Sequence, residues 1–161
     1  MCSMRFCLLL FLVTLLLFAG NVIALRVQRP AFLASRKFDA YKLSVGPPNW
    51  SGRENKGEVL LVRGAELCAD GAGSNKWKGA VVLALGHECD TVVQALTAQR
   101  GGAVGLLVSK SGGYAGSEGE VRIPVEVLKK EDYDAFAITI NQGISIHVSI
   151  GNSLNVQRFA D

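Results

Sequence analysis

Two stretches of the chain are apolar at nearly every position, residues 80–85 (AVVLAL) and 103–109 (AVGLLVS). A run this short with no polar face suits a strand buried on both sides, as in a parallel sheet. Between them, residues 91–100 place Val92, Val93, Ala95, Leu96 and Gln99 with helical rather than alternating spacing. Asp90 stands where an N-cap carboxylate would accept from an early backbone amide, and Gly101 and Gly102 end the helical pattern. Strand, helix and strand in this order predict a βαβ unit. Upstream, residues 58–64 read as a strand and residues 39–45 as a weakly alternating one that stops at the Gly-Pro-Pro turn 46–48. Downstream, residues 121–128 read as a strand in which Pro124 marks an edge or an end. Residues 129–136 predict one or two helical turns. Residues 137–150 alternate about the turn NQG and predict a β-hairpin. The basic residues 26–37 show no clear period and read as an N-terminal arm, and the tail from Gly151 reads as frayed.

The first 24 residues follow another pattern. One basic residue, Arg5, precedes the apolar run 6–19, and Val22 and Ala24 are small or neutral residues placed for a cut after Ala24. This is the layout of a secretory signal peptide, the alternative being an uncleaved signal anchor interrupted by Gly20 and Asn21. Removal of residues 1–24 from the 161 leaves 137, enough for one domain with a modest core. The net charge falls from +3 to +2 because only Arg5 is lost. So small and dispersed a charge argues against nucleic acid or an anionic membrane as partner. No later apolar run reaches the roughly 18 residues of a membrane span, so none is expected once the signal is gone.

The same cut removes Cys2 and Cys7 and leaves Cys68 and Cys89. Two cysteines in an oxidising compartment most economically form one bridge. Cys89 also lies in the run His87, Glu88, Cys89, Asp90, which raises two sharper readings. A thiolate nucleophile with His87 as base requires a free Cys89. A zinc site from Cys68, His87, Cys89 and Asp90 has suitable ligand types but lacks paired C-x-x-C spacing. The bridge is the simpler expectation, and with it no catalytic residue and no metal. The glycines at 101, 102 and 105 follow a helix and precede a strand, the reverse of a phosphate cradle. No cofactor signature occurs, nor any signature of a particular oligomeric state. Asn49, Trp50 and Ser51 form a glycosylation sequon. Trp77, Tyr114 and Trp50 lie in glycine-rich loops, where aromatic residues can supply contact area to a partner, although Trp77 also suits a cover for the core edge. Asp132 and Asp134 read as solvated charges.

Taken in order, Lys78, Gly79, Val81 and Leu83, then Cys89, then Ala98, Gly102, Ala103 and Gly105, then Ile123 and Pro124, resemble the pattern of the protease-associated (PA) domain family. Cys68 lies where many members place the bridge partner of the turn cysteine. The likeness covers about residues 58–128. Departures are Gly86 and His87 in place of the usual Arg and Gly, Thr91 in place of an aromatic, and Gln94 in place of a frequent lysine. The resemblance implies an α+β, β-rich fold, a small barrel- or sandwich-like sheet with one or two packed helices, spanning residues 38–151. It also implies a non-catalytic role in binding a protein or peptide, through residues 110–120 and the turn around His87. Members occur as inserts in secreted proteases, as cargo-binding parts of vacuolar sorting receptors and as lumenal parts of membrane-anchored RING ubiquitin ligases. With no HExxH, GxSxG or RING cysteine set in the sequence, a stand-alone domain is expected, secreted or in the lumen of the secretory or vacuolar pathway. A shortened relative of a sorting receptor or ligase is the alternative. N-terminal sequencing of the exported protein should begin at Leu25. An intact, membrane-anchored product would show instead that the signal is kept.

Overall fold

The computed structural model describes residues 25–38, 40–43, 45, 55–69, 73, 75–109, 120–151 and 156–157. The strands are β1 (Arg26–Arg29), β2 (Ala40–Leu43), β3 (Asn55–Leu61), β4 (Val81–Ala84), β5 (Gly105–Val108), β6 (Val125–Leu128), β7 (His147–Ile150) and β8 (Val156–Gln157). The helices are α1 (Ala31–Ala34), α2 (Gly64–Cys68), α3 (Thr91–Arg100) and α4 (Lys130–Asn141). The strands form one sheet in the order β1-β7-β3-β4-β5-β6-β2-β8. Its centre, β3 to β6, is parallel. Antiparallel strands flank it, β7 on β3 and β2 on β6, with β1 antiparallel on β7 and β8 parallel to β2. The fold is therefore mixed α+β, and β4-α3-β5 is the predicted βαβ unit.

Every residue of β4, β5 and β6 is buried. Their side chains alternate between two cores, because successive residues of a strand face opposite sides. Val82, Ala84, Leu106, Val108, Val125 and Val127 meet Val92, Ala95 and Ala98 of α3. Val81, Leu83, Leu107 and Leu128 meet Phe136 of α4, Ile146 to Ile150 of the β7 region, and Leu25, Val27, Leu33 and Phe38 of the N-terminal segment. Asp90 caps α3 by accepting from the Val92 amide at 2.7 Å, and Gly102, at φ +82°, turns the chain into β5. Glu126 is the exception among these apolar strands. It is fully buried, and its Oε1 accepts from the Gly151 amide at 2.9 Å, which fixes the chain as it leaves β7.

Four readings of the sequence change. Residues 137–140 belong to α4, so only His147–Ile150 of the expected hairpin is a strand. Tyr133, Phe136 and Ile140 recur at helical spacing on the core side, whereas Ile138, which gave the impression of alternation, is 58% exposed. Gly143, at φ +79°, lies just past the C-cap Gln142 and ends a helix rather than forming a hairpin turn. The stretch read as an arm carries β1 and α1 and contributes Val27 and Leu33 to the second core, with Leu25 and Phe38 at its two ends. Arg36 pairs with Asp132 at 3.3 Å, and Phe38 meets Phe136 edge to face at 5.1 Å. Asp132 is accordingly buried and ion-paired, not solvated, while Asp134 holds Lys130 at 2.7 Å on the surface. Finally, the tail returns to the sheet as β8.

Gly57 tests how tightly the sheet is built. A Cβ there would stand 2.7 Å from the Gly79 carbonyl oxygen and 3.2 Å from the Val81 nitrogen, backbone atoms that cannot swing away. Gly57→Ala should cost about 2 kcal/mol in urea unfolding. Gly73→Ala, with nothing within 4 Å of the new methyl, serves as the control and should leave the midpoint unchanged.

Candidate functional site

In a parallel run the C-terminal ends of the strands share one edge of the sheet, where open α/β sheets place their ligands. Here the segments leaving β3 and β4 meet at a cleft of about 390 Å³. Leu61, Val62, Arg63, Gly64 and Ala65 come from β3 and the start of α2, Leu85 and Glu88 from the turn after β4, and Tyr133 from α4. The walls are apolar, while Arg63 and Glu88 bring opposite charges that make no ion pair among the described residues. Gly64 is required by this approach. A Cβ on it would lie 2.8 Å from the Leu85 carbonyl oxygen and 2.9 Å from Cδ of Glu88. The Tyr133 phenol titrates above its ordinary value, chiefly because burial disfavours the phenolate, with the charge of Asp134 adding to it. It therefore stands in the cleft as a neutral hydrogen-bonding group.

Beside it lies a second cleft of about 300 Å³, lined by Glu58 to Leu61, Ile140, Gly143, Ile144 and Ser145. The two share Leu61. Ser145 Oγ donates to Glu58 Oε1 at 2.7 Å, closing the far end.

Cys68 and Cys89 form the expected disulfide, with Cα atoms 5.8 Å apart. The bridge joins the end of α2 to the turn that carries Glu88, and so ties two walls of the first cleft together. Gln94, fully buried on α3, supports the same turn by donating from Nε2 to the Leu85 carbonyl at 3.1 Å. With Cys89 in the bridge there is no thiolate at this position.

The sequence candidates are not brought together as one site. His87 is exposed on the turn between Leu85 and Glu88, which line the first cleft, and is not itself among the lining residues. Trp77 is at the opposite end of β4, 4% exposed, its amide donating to the Gly101 carbonyl at 2.8 Å. Its ring fills the space where Gly101 would carry a Cβ. Trp77 therefore packs as a cover on the core, the plainer of its two readings. Tyr114, Trp50 and Asn49, residues 110–119 and residues 1–24, read above as a signal, lie outside the described residues. Arg63 and Tyr133 escaped the sequence reading, and Glu88 was noted only as a neighbour of Cys89, because the three are 25 to 70 positions apart in the chain. The one local hint was the Arg-Gly pair at 63 and 64, read simply as a strand end.

The pattern that defines the PA domain matches residues 51–136, more than half of the chain, which therefore belongs to the PA domain family. No curated protein sequence matches it. Among solved structures, the chain is similar to an aminopeptidase from Aneurinibacillus sp. strain AM-1, with TM-score 0.61 and 18% identity over 82% of this chain and 30% of that one. It is also similar to a peptidase M28 precursor from Shewanella amazonensis SB2B, with TM-score 0.56 and 12% identity over 78% of this chain and 32% of that one. A third likeness is to BSAP, a zinc aminopeptidase from Bacillus subtilis, with TM-score 0.54 and 17% identity over 80% and 31%. The chain spans less than a third of the length of each, and at these identities the likeness is one of fold.

Removing the bridge tests its place in the site. Cys89→Ser should lower the unfolding free energy by about 3 kcal/mol, the amount for a loop of this size, read by urea denaturation. In the unaltered protein neither Cys68 nor Cys89 should react with an alkylating reagent until a reductant is added.

Proposed function

We propose that this PA domain is a non-catalytic module, secreted or held in the lumen of the secretory or vacuolar pathway, that binds a protein or peptide. The cleft at the C-terminal ends of β3 and β4, one of whose turns carries the exposed His87 next to Glu88, carries the reading. It is small and largely apolar, with a few polar groups of each sign, and suits recognition of a short polypeptide segment. Bridged Cys89 leaves the turn without a nucleophile and supports a binding role over catalysis. The disulfide favours an oxidising compartment, and among the described residues no helix is long and apolar enough to cross a membrane. Likeness to stretches of three peptidases, two of them called aminopeptidases, supports a polypeptide as the ligand.

Capture of a partner from the secretory fraction on the immobilised domain tests the reading. His87→Ala should reduce that capture at least tenfold while leaving the unfolding midpoint within a degree or two, because an exposed turn residue contributes little to stability. Capture that survives His87→Ala undiminished would remove the turn from the binding surface.

A further inference from the structure

Strand β3 is covered unevenly. Toward β4 it is paired to its end, with Val62 donating to the Leu83 carbonyl at 2.9 Å. On its other side β7 pairs with Asn55 to Glu58, and the last bond is Val59 N–H to the Ile146 carbonyl at 2.8 Å. Beyond that point the chain before β7 veers off, because the Ile144 amide donates to Thr139 and completes the C-terminus of α4. Backbone groups of a strand alternate in direction. Val62 faces β4, so Leu61, like Val59, faces the side that β7 has left. Among the described residues neither the N–H nor the C=O of Leu61 has a hydrogen-bond partner. The gap opposite it is the groove shared by the two clefts, with Ile140 and Ile144 on one wall and Leu60 and Leu61 on the other. Ile144 is 37% exposed there, a large apolar side chain on an open strand edge.

Such an edge, with one donor and one acceptor side by side, is complementary to the backbone of another extended strand. Charge narrows the occupant further. Carboxylates stand at both ends of the groove, Glu58 and Glu88, against a single lining guanidinium, Arg63. We propose that the groove takes an extended peptide segment by strand addition, in line with β7 and antiparallel to β3. One peptide residue exchanges two backbone hydrogen bonds with Leu61. Apolar side chains enter beside Ile140 and Ile144, and a basic side chain pairs with Glu88. The inference rests on the polypeptide-binding reading above and specifies where and how the ligand binds.

Blocked octapeptides of alternating Val and Thr, with one Lys moved through the positions, provide the probe, and fluorescence polarisation the readout. One Lys position should bind best, and its Glu counterpart at least tenfold more weakly. Methylating backbone nitrogens one at a time should weaken binding tenfold or more at the residue opposite Leu61 and leave its immediate neighbours tolerated. Glu88→Lys should reverse the preference from Lys to Glu, which a folding defect cannot do, and Ile144→Asp should abolish binding of both. A flat N-methyl scan, an unreversed preference, or no binding by any probe would overturn strand addition. In those cases capture that still depends on His87 would leave the binding reading standing, and loss of capture altogether would remove both. Self-association of the domain abolished by Ile144→Asp, with no peptide bound, would assign the groove to a second copy and likewise overturn the proposal.

Discussion

Everything in this fold follows from the demand that three central strands be dry on both faces. The strands β4, β5 and β6 are four residues each, and none of their residues reaches solvent. Parallel strands of this kind are stable only when a layer covers each side. The helix α3 covers one side with Val92, Ala95 and Ala98. The other has no such helix within the βαβ unit, so it is closed from the two ends of the chain, by α4 and β7 downstream and by β1, α1 and Phe38 upstream. A basic segment with no legible period is thereby drawn into the core. Its Arg36 anchors it to α4 through Asp132, whose burial is tolerated because a charged partner is at hand.

The same demand shapes the edge at which the first cleft lies. A strand as short as β4 brings the turn after it close to the core, and that turn must be held where solvent reaches it. The disulfide and the Gln94 amide hold it from two directions. On the far side of β3, α4 must end before β7 can begin, and the residues that end it cannot also pair with Leu61. The open edge is therefore a product of packing. Ile144, which would stand opposite Leu61 if the register of β7 continued, is held instead by the Thr139 carbonyl at the end of α4.

Much of the central architecture could be read from sequence, because there one local signal coincided with one tertiary role. Residues 80–85 and 103–109 were dry runs and became dry strands, and Asp90, Gly101 and Gly102 set the limits of α3 by local backbone chemistry. The second layer was harder. In residues 137–140, β-branched residues gave an alternation that the burial of Tyr133, Phe136 and Ile140 on one face of a helix overrides. Trp77 is in a glycine-rich loop yet lies under Gly101, a contact between residues 24 positions apart that no local pattern reveals. The cleft was illegible for the same reason. Its members come from three separate stretches, joined only once the parallel strands set their ends at one edge.

The residues that carry the family likeness are not scattered over this architecture. Gly79 and Gly102, with φ of +74° and +82°, and Gly105, which faces the Ile150 side chain where a Cβ would be, all lie at the N-terminal ends of β4 and β5. There the Gly79 amide donates to the Gly102 carbonyl at 3.0 Å and the Val104 amide to the Ala80 carbonyl at 2.8 Å, so the two strands enter the sheet as a unit. These positions fix backbone geometry that other side chains would strain or displace. The departures Gly86 and His87 stand at the opposite end of the same strand, beside the cleft, where His87 is exposed and no core contact dictates its identity. The glycines at one end of these strands thus fix backbone geometry, whereas at the other end the exposed His87 is under no such constraint. A chain 12 to 18% identical to its structural relatives thus shares their fold, with backbone geometry of this kind holding its central strands together.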